Sequence, residues 1–118
     1  MTDDKFATLR RVIVSTSDLA RADEFYGQLL RLPLISAQGG FRTYDLAGGH
    51  QLLLHERATE PSDTAVSLGF TVADLDTTVD RWRQHGGIVL DEPEAQPWGE
   101  VMAVVRDPDG HVVCLSQR

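Results

Sequence analysis

The chain has 118 residues, 42% of them hydrophobic and 25% charged, with a formal net charge of −7. That length fits one domain with a modest core, and the acidic balance excludes a general attraction to nucleic acid or anionic lipid. No apolar run approaches the length of a bilayer span, Met1–Lys5 carries no basic stretch leading into an apolar one, and Cys114, the sole cysteine, permits no intrachain disulfide, so a cytoplasmic protein is expected.

The first element is a strand, Arg11-Val12-Ile13-Val14-Ser15-Thr16, with apolar residues at alternate positions. Asp18 follows as a helix cap. Leu19, Ala22, Tyr26, Leu29 and Leu30 then recur at helical spacing, widened by Phe25. Extended segments Phe41 to Leu46 and Gln51 to His55 flank Gly48-Gly49 and predict a hairpin. The polar stretch Arg57 to Thr64, with Pro61 inside it, is a linker. A second strand, Ser67-Leu68-Gly69-Phe70-Thr71-Val72, leads to a second capping residue, Asp74. Leu75, Val79 and Trp82 form another helical stripe, which Gly86-Gly87 ends. Val101 to Arg106 and Val112 to Ser116 flank Asp107-Pro108-Asp109-Gly110, whose glycine suits the left-handed residue of a bulged hairpin.

The second half repeats the first. Adding 56 carries Val12 to Leu68, Val14 to Phe70, Asp18 to Asp74 and Leu19 to Leu75. The expected fold is α+β: one domain over 1–118, made of two tandem βαβββ modules at about 8–56 and about 66–118, joined by a linker at 57–65. Together they would form a curved, partly open mixed sheet, a half-barrel with helices on its convex face. The concave face is left for a ligand.

Alternation assigns side chains to that face. Val12, Val14, Leu52, Leu54, Leu68, Phe70, Val113 and Leu115 should pack on helices. Arg11, Leu53, His55, Ser67 and Cys114 then turn inward, with Met102 alongside and Trp98 near the rim. A two-residue turn at Gly48-Gly49 would pair Tyr44 with Leu53 and turn Tyr44 inward too. This mixed surface suits an apolar ligand carrying a few polar handles; a solvated sheet face or a subunit contact would also accommodate it.

The segment Val14-Ser15-Thr16-Ser17-Asp18-Leu19-Ala20-Arg21-Ala22-Asp23-Glu24-Phe25-Tyr26 resembles the opening of vicinal-oxygen-chelate proteins, the glyoxalase, bleomycin-resistance and dioxygenase superfamily. Trp98-Gly99-Glu100, followed by Arg106-Asp107-Pro108-Asp109-Gly110-His111, resembles that family's closing signature. Metal-dependent members place ligands at four inward positions. By resemblance these fall on Arg11, Leu53, Ser67 and Cys114, none of them His, Asp or Glu. Arg11 brings a positive charge, Leu53 has no donor atom, Ser67 is a weak neutral ligand, and one thiolate is not a site. The resemblance therefore implies a chain without metal or other cofactor, comparable to the bleomycin-resistance branch and sequestering or carrying a bulky, partly aromatic ligand in its groove. It also implies a homodimer.

From residue type alone, Arg11 is a partner for a ligand carboxylate or phosphate, or a strand-end surface residue. Trp98 is a stacking platform or a loop anchor. Tyr44 and His55 are hydrogen-bonding groups or subunit contacts, and Leu53, Ser67, Met102 and Cys114 are walls. The rival class is an enzyme of the same fold, either metal-independent, with His55, Tyr44 or Glu100 as acid or base, or using a nonstandard metal site at His55 and Cys114. His50, His85 and His111 read as surface residues.

Overall fold

The computed structural model describes residues 6–118; the N-terminal reading on Met1–Lys5 lies outside them. Each module opens with a strand and a capped helix, as the repeat requires. In the first, β1 (Arg11–Thr16) leads to α1 (Leu19–Asp23), which continues as a π-helical stretch, Glu24–Leu29, and then to β2 (Leu34–Gln38), β3 (Phe41–Asp45) and β4 (Gln51–Glu56). In the second, β5 (Leu68–Val72) leads to α2 (Leu75–Gln84), β6 (Ile88–Ala95), β7 (Val101–Arg106) and β8 (Val112–Gln117).

The strands form two four-stranded sheets, ordered β1-β4-β3-β2 and β5-β8-β7-β6. In each, the first and last strands of the module run parallel and the remaining pairs are antiparallel. The α+β, two-module fold is thus as expected. The eight expected strands are distributed over two open sheets with no ladder between them among the described residues.

Asp18 accepts the Arg21 amide at 3.0 Å and Asp74 the Thr77 amide at 3.1 Å, so both predicted caps are made. A second cap comes from the far end of each module. Glu56 Oε2 accepts the Leu19 amide at 2.9 Å, and Gln117 Oε1 accepts the Leu75 amide at 2.8 Å. Each β4 or β8 end therefore satisfies a first-turn N–H that would otherwise lack a partner.

The wider winding of the π-helical stretch is marked by the Leu30 amide donating to Phe25 O at 2.9 Å. It turns Phe25, Tyr26 and Leu29 all toward the core. These residues join Leu52, Leu54, Val79, Trp82, Val113 and Leu115 in one buried cluster shared by both modules. Phe25 meets Trp82 edge to face, ring centroids 4.8 Å apart. No helix of the described residues is long and apolar enough to cross a membrane.

The Asp107-Pro108-Asp109-Gly110 turn fastens the modules together. Asp109 accepts hydrogen bonds from Thr16 Oγ1 (2.6 Å), Ser17 N (2.9 Å) and Ser17 Oγ (2.6 Å). Burial would raise its carboxyl pKa, but these donors prevail and hold it below the usual value. Asp107, buried, takes the Tyr26 hydroxyl at 2.7 Å and the Asp109 and His111 amides at 2.9 Å each. There burial outweighs the donors and the pKa is raised. His111, expected at the surface, is half-buried at this seam: Nδ1 accepts the Ser62 amide and Nε2 faces Ser15 O at 2.8 Å.

Candidate functional site

The faces turned away from the helices were expected to carry the site, and their composition follows from strand pairing. In the first module Arg11 sits opposite Gln51, Ile13 opposite Leu53 and Ser15 opposite His55. Arg11 donates to Gln51 Oε1 at 3.1 Å. Leu52 and Leu54, between these positions, are wholly buried against the helices. Alternation thus places Arg11, Leu53 and His55 on the outer face, as expected.

Tyr44 is a correction. It pairs with Leu52, not Leu53, and lies fully buried on the helix side, where its hydroxyl donates to Asp23. The hairpin loop has three residues: the Leu46 amide bonds His50 O, and Ala47, Gly48 and Gly49 all take positive φ. One extra loop residue shifts the register by one and exchanges the faces of the whole strand. Phe41 and Thr43 occupy the outer face instead, opposite His55 and Leu53. Phe41 stacks on the His55 imidazole, centroids 4.3 Å apart and planes 24° from parallel.

In the second module Gly69 and Val104 flank Cys114, and Met102 lies opposite Ser116, as the bulged turn predicted. Gly110 has φ 87°. Ser67 Oγ and Cys114 Sγ are 3.8 Å apart. Trp98 is 65% exposed, which removes the reading of a loop anchor in the core. Its indole N–H donates to Glu100 Oε1 at 3.0 Å, and Ser116 Oγ donates to Glu100 Oε2 at 2.9 Å. Each carboxylate oxygen of Glu100 therefore accepts one hydrogen bond at the rim.

The eight residues named from the sequence do not converge on one pocket. Arg11, Leu53 and His55 share the outer face of the first sheet. Met102 and Trp98 line a cleft of about 320 Å³ on the second, beside Asp91 and Glu94. Ser67 lines a third hollow, of about 290 Å³, at the seam between the modules with Ile13, Val66, His111 and Val112. Cys114 stands beside Ser67, and Tyr44 is in the core. Sequence reasoning placed Ile13 on the ligand-facing side of β1 but missed Phe41 and the seam itself. The apolar side chains on these outer faces are large and open, Ile13 being 55% and Phe41 41% exposed.

As a metal centre the arrangement fails on donor chemistry. Of the four positions, Arg11 carries a positive charge and Leu53 has no donor atom, both on the first sheet, while Ser67, just before β5, and Cys114 on β8 offer one neutral oxygen and one sulfur. Among the described residues no group of three or more His, Cys, Asp or Glu side chains is placed to hold a metal ion. The pairing of His55 with Cys114 as a nonstandard site is not brought about: His55 is stacked under Phe41 in one sheet and Cys114 pairs within the other.

Three comparisons with known proteins bear on this geometry. Residues 8–115 match a family model described as the Glyoxalase/Bleomycin resistance protein/Dioxygenase superfamily. No curated protein matches. Similar solved structures include a glyoxalase-related enzyme from Fulvimarina pelagi, at TM-score 0.81 and 20% identity, covering 96% of this chain and 89% of that one. A protein of unknown function from Agrobacterium tumefaciens aligns at TM-score 0.79 and 22% identity, covering 96% and 95%. A lactoylglutathione lyase from Agrobacterium tumefaciens aligns at 0.68 and 19%, covering 94% and 93%. At these identities the likeness carries the fold alone.

Proposed function

The chain belongs to the glyoxalase/bleomycin resistance protein/dioxygenase superfamily, and from that premise we propose that it is a metal-free small-molecule-binding protein. It sequesters or carries a bulky, partly aromatic ligand against its outer sheet faces. The observation that carries this reading is the composition of those faces. The four positions where the superfamily chelates metal hold Arg11, Leu53, Ser67 and Cys114, while Ile13, Phe41, Met102 and Trp98 offer apolar and aromatic contact around them. Apolar walls with a few polar handles bind flat organic molecules by desolvation and stacking.

Closure of the faces falls to a second copy. The Cα radius of gyration is 14.8 Å, against about 13.5 Å for a compact chain of this length, and the two sheets are open. Arg11 lies on the first face, and Glu100 with Asp91 and Glu94 on the second. A two-fold pairing sets one copy's first module against the other's second and brings opposite charges together. Native mass spectrometry with metal analysis of protein purified without chelator tests the whole reading. A dimer carrying no stoichiometric transition metal is expected. A bound transition metal at one per chain overturns the metal-free reading, and a monomer at micromolar concentration overturns the shared groove.

A further inference from the structure

The chain's charge is strongly negative, yet one groove is basic. Of the ten arginines, Arg11, Arg21, Arg57, Arg83 and Arg106 have side-chain partners. Among the described residues the side chains of the other five have none. Three of those five, Arg31, Arg81 and Arg118, line a single groove of about 330 Å³. It runs between the end of the π-helical stretch in the first module and the β5–α2 junction of the second, on ground distinct from the outer sheet faces.

The groove carries more positive than negative side chains. Asp74 is the one acidic side chain among its lining residues, and its carboxylate accepts the Thr77 amide. Thr71, Thr77 and Thr78 add hydroxyls to the walls. The first-turn amides of α2 are largely taken by Gln117 and Asp74, so the guanidiniums and not the helix end supply the attraction. Arg31 adopts φ 59° just past the helix end, a left-handed position that normally selects glycine. A residue with a Cβ costs free energy there whatever its charge. The three guanidiniums outnumber the Asp74 carboxylate in this groove, and an entering anion would relieve the repulsion among them.

We propose that this groove binds a small polyanion bearing phosphate or carboxylate groups, clamped by Arg31, Arg81 and Arg118. Guanidinium forks match both head groups through paired N–H donors, and the groove's volume admits a small metabolite while excluding a polymer.

The test is calorimetric titration of the purified chain with pyrophosphate and with citrate at low salt. Saturable binding of at least one is expected, and whichever binds tighter assigns the head group. Arg31→Ala and Arg81→Ala should each weaken it roughly tenfold or more, the loss of one charge-assisted contact. Arg83→Ala, on the same helix but paired with Asp80 and Glu92, should leave it unchanged. If Arg81→Ala folds poorly, Arg118→Ala and Arg81→Gln serve in its place. Absence of saturable binding by either anion up to about 10 mM, undiminished binding in the Arg31→Ala/Arg81→Ala/Arg118→Ala triple variant, or an equal loss in Arg83→Ala overturns the proposal. None of these results bears on the metal-free reading of the sheet faces.

Discussion

Substituting Asp109 with alanine should loosen the joint between the two modules. The carboxylate takes three hydrogen bonds from β1 and the start of α1, at 2.6, 2.9 and 2.6 Å. Charged hydrogen bonds contribute about 1.5–3 kcal/mol each, but the three do not add in full. Ser17 is exposed and its two donors turn to water, and the hydroxyl of buried Thr16, freed from Asp109, can donate instead to the Asp18 carbonyl 3.1 Å away. A loss of about 2–3 kcal/mol is expected, which lowers Tm by about 8–12 °C for a domain of this size. Urea unfolding at neutral pH gives the free energy directly. The pH dependence then separates charge from packing. The Asp109 pKa is lowered in the folded state, so its stabilisation is fully present above the unfolded value of about 3.9 and is lost as pH falls through the folded pKa. Asp107 acts in the opposite sense, since its raised pKa makes the ionised form a cost that protonation relieves. The difference between wild type and Asp109→Asn, followed from about pH 6 to about pH 3, isolates the Asp109 contribution and should shrink at the acid end. A loss under about 0.5 kcal/mol on Asp109→Ala, or a difference that grows on acidification, would refute the clasp.

Gly87→Ala should destabilise by about 2 kcal/mol or more, because the new Cβ would lie 2.2 Å from Trp82 Cδ1 and 2.8 Å from Phe25 Cε2; unfolding equal to wild type would show that the aromatic pair yields. Tyr26 and Tyr44 should both resist ionisation, since burial first and the Asp107 and Asp23 hydrogen bonds next raise their pKa values. The stability this confers is full below about pH 10 and is lost as pH rises through the folded pKa values; an ultraviolet titration with a transition near pH 10 in folded protein would contradict the burial. Tyr44→Phe should cost about 1 kcal/mol and leave ligand affinity unchanged, whereas a binding defect without a stability loss would return Tyr44 to the site. Glu56→Ala and Gln117→Ala should each cost about 1 kcal/mol, while Glu56→Gln, which keeps the acceptor, should cost under about half of that; equal losses from both Glu56 variants would make the cap a charge effect alone.

The repeat made most of the fold legible, because buried faces constrain sequence. Val12 and Leu68, Val14 and Phe70, and Asp18 and Asp74 share roles that chemistry enforces twice. β2 was not legible, since every residue from Leu34 to Gln38 is exposed and no face selects an alternation. β6 was obscured by Pro93 and by two register shifts. The Tyr44 error had a signal that could have prevented it. Gly49-His50-Gln51-Leu52-Leu53-Leu54 aligns with Gly110-His111-Val112-Val113-Cys114-Leu115, sharing the Gly-His pair and the closing Leu. Both hairpins therefore carry three-residue loops, and the bulged second turn fixes the register of the first. The scatter of the site residues over three surfaces was beyond the sequence, because alternation reports which face a side chain takes and not how two sheets are set against each other.

That separation of face from fold leaves the side of each sheet turned from the helices free to vary while the architecture is kept. Leu52, Leu54, Val113 and Leu115 are wholly buried under the helices, and each strand places Leu53 or Cys114 between them on the other side. The core fixes the strands through one set of alternate positions and leaves the other set free of packing demands. His, Asp or Glu can be exchanged for Arg11, Leu53, Ser67 and Cys114 without touching the buried cluster. Reinstating donors at those four positions should therefore leave the stability within about 1 kcal/mol of wild type. If the substituted chain then binds a divalent metal, the fold alone supplies the geometry. If it folds but takes up no metal, the modules of one copy are not set for chelation, and a site would require the second copy to bring its half.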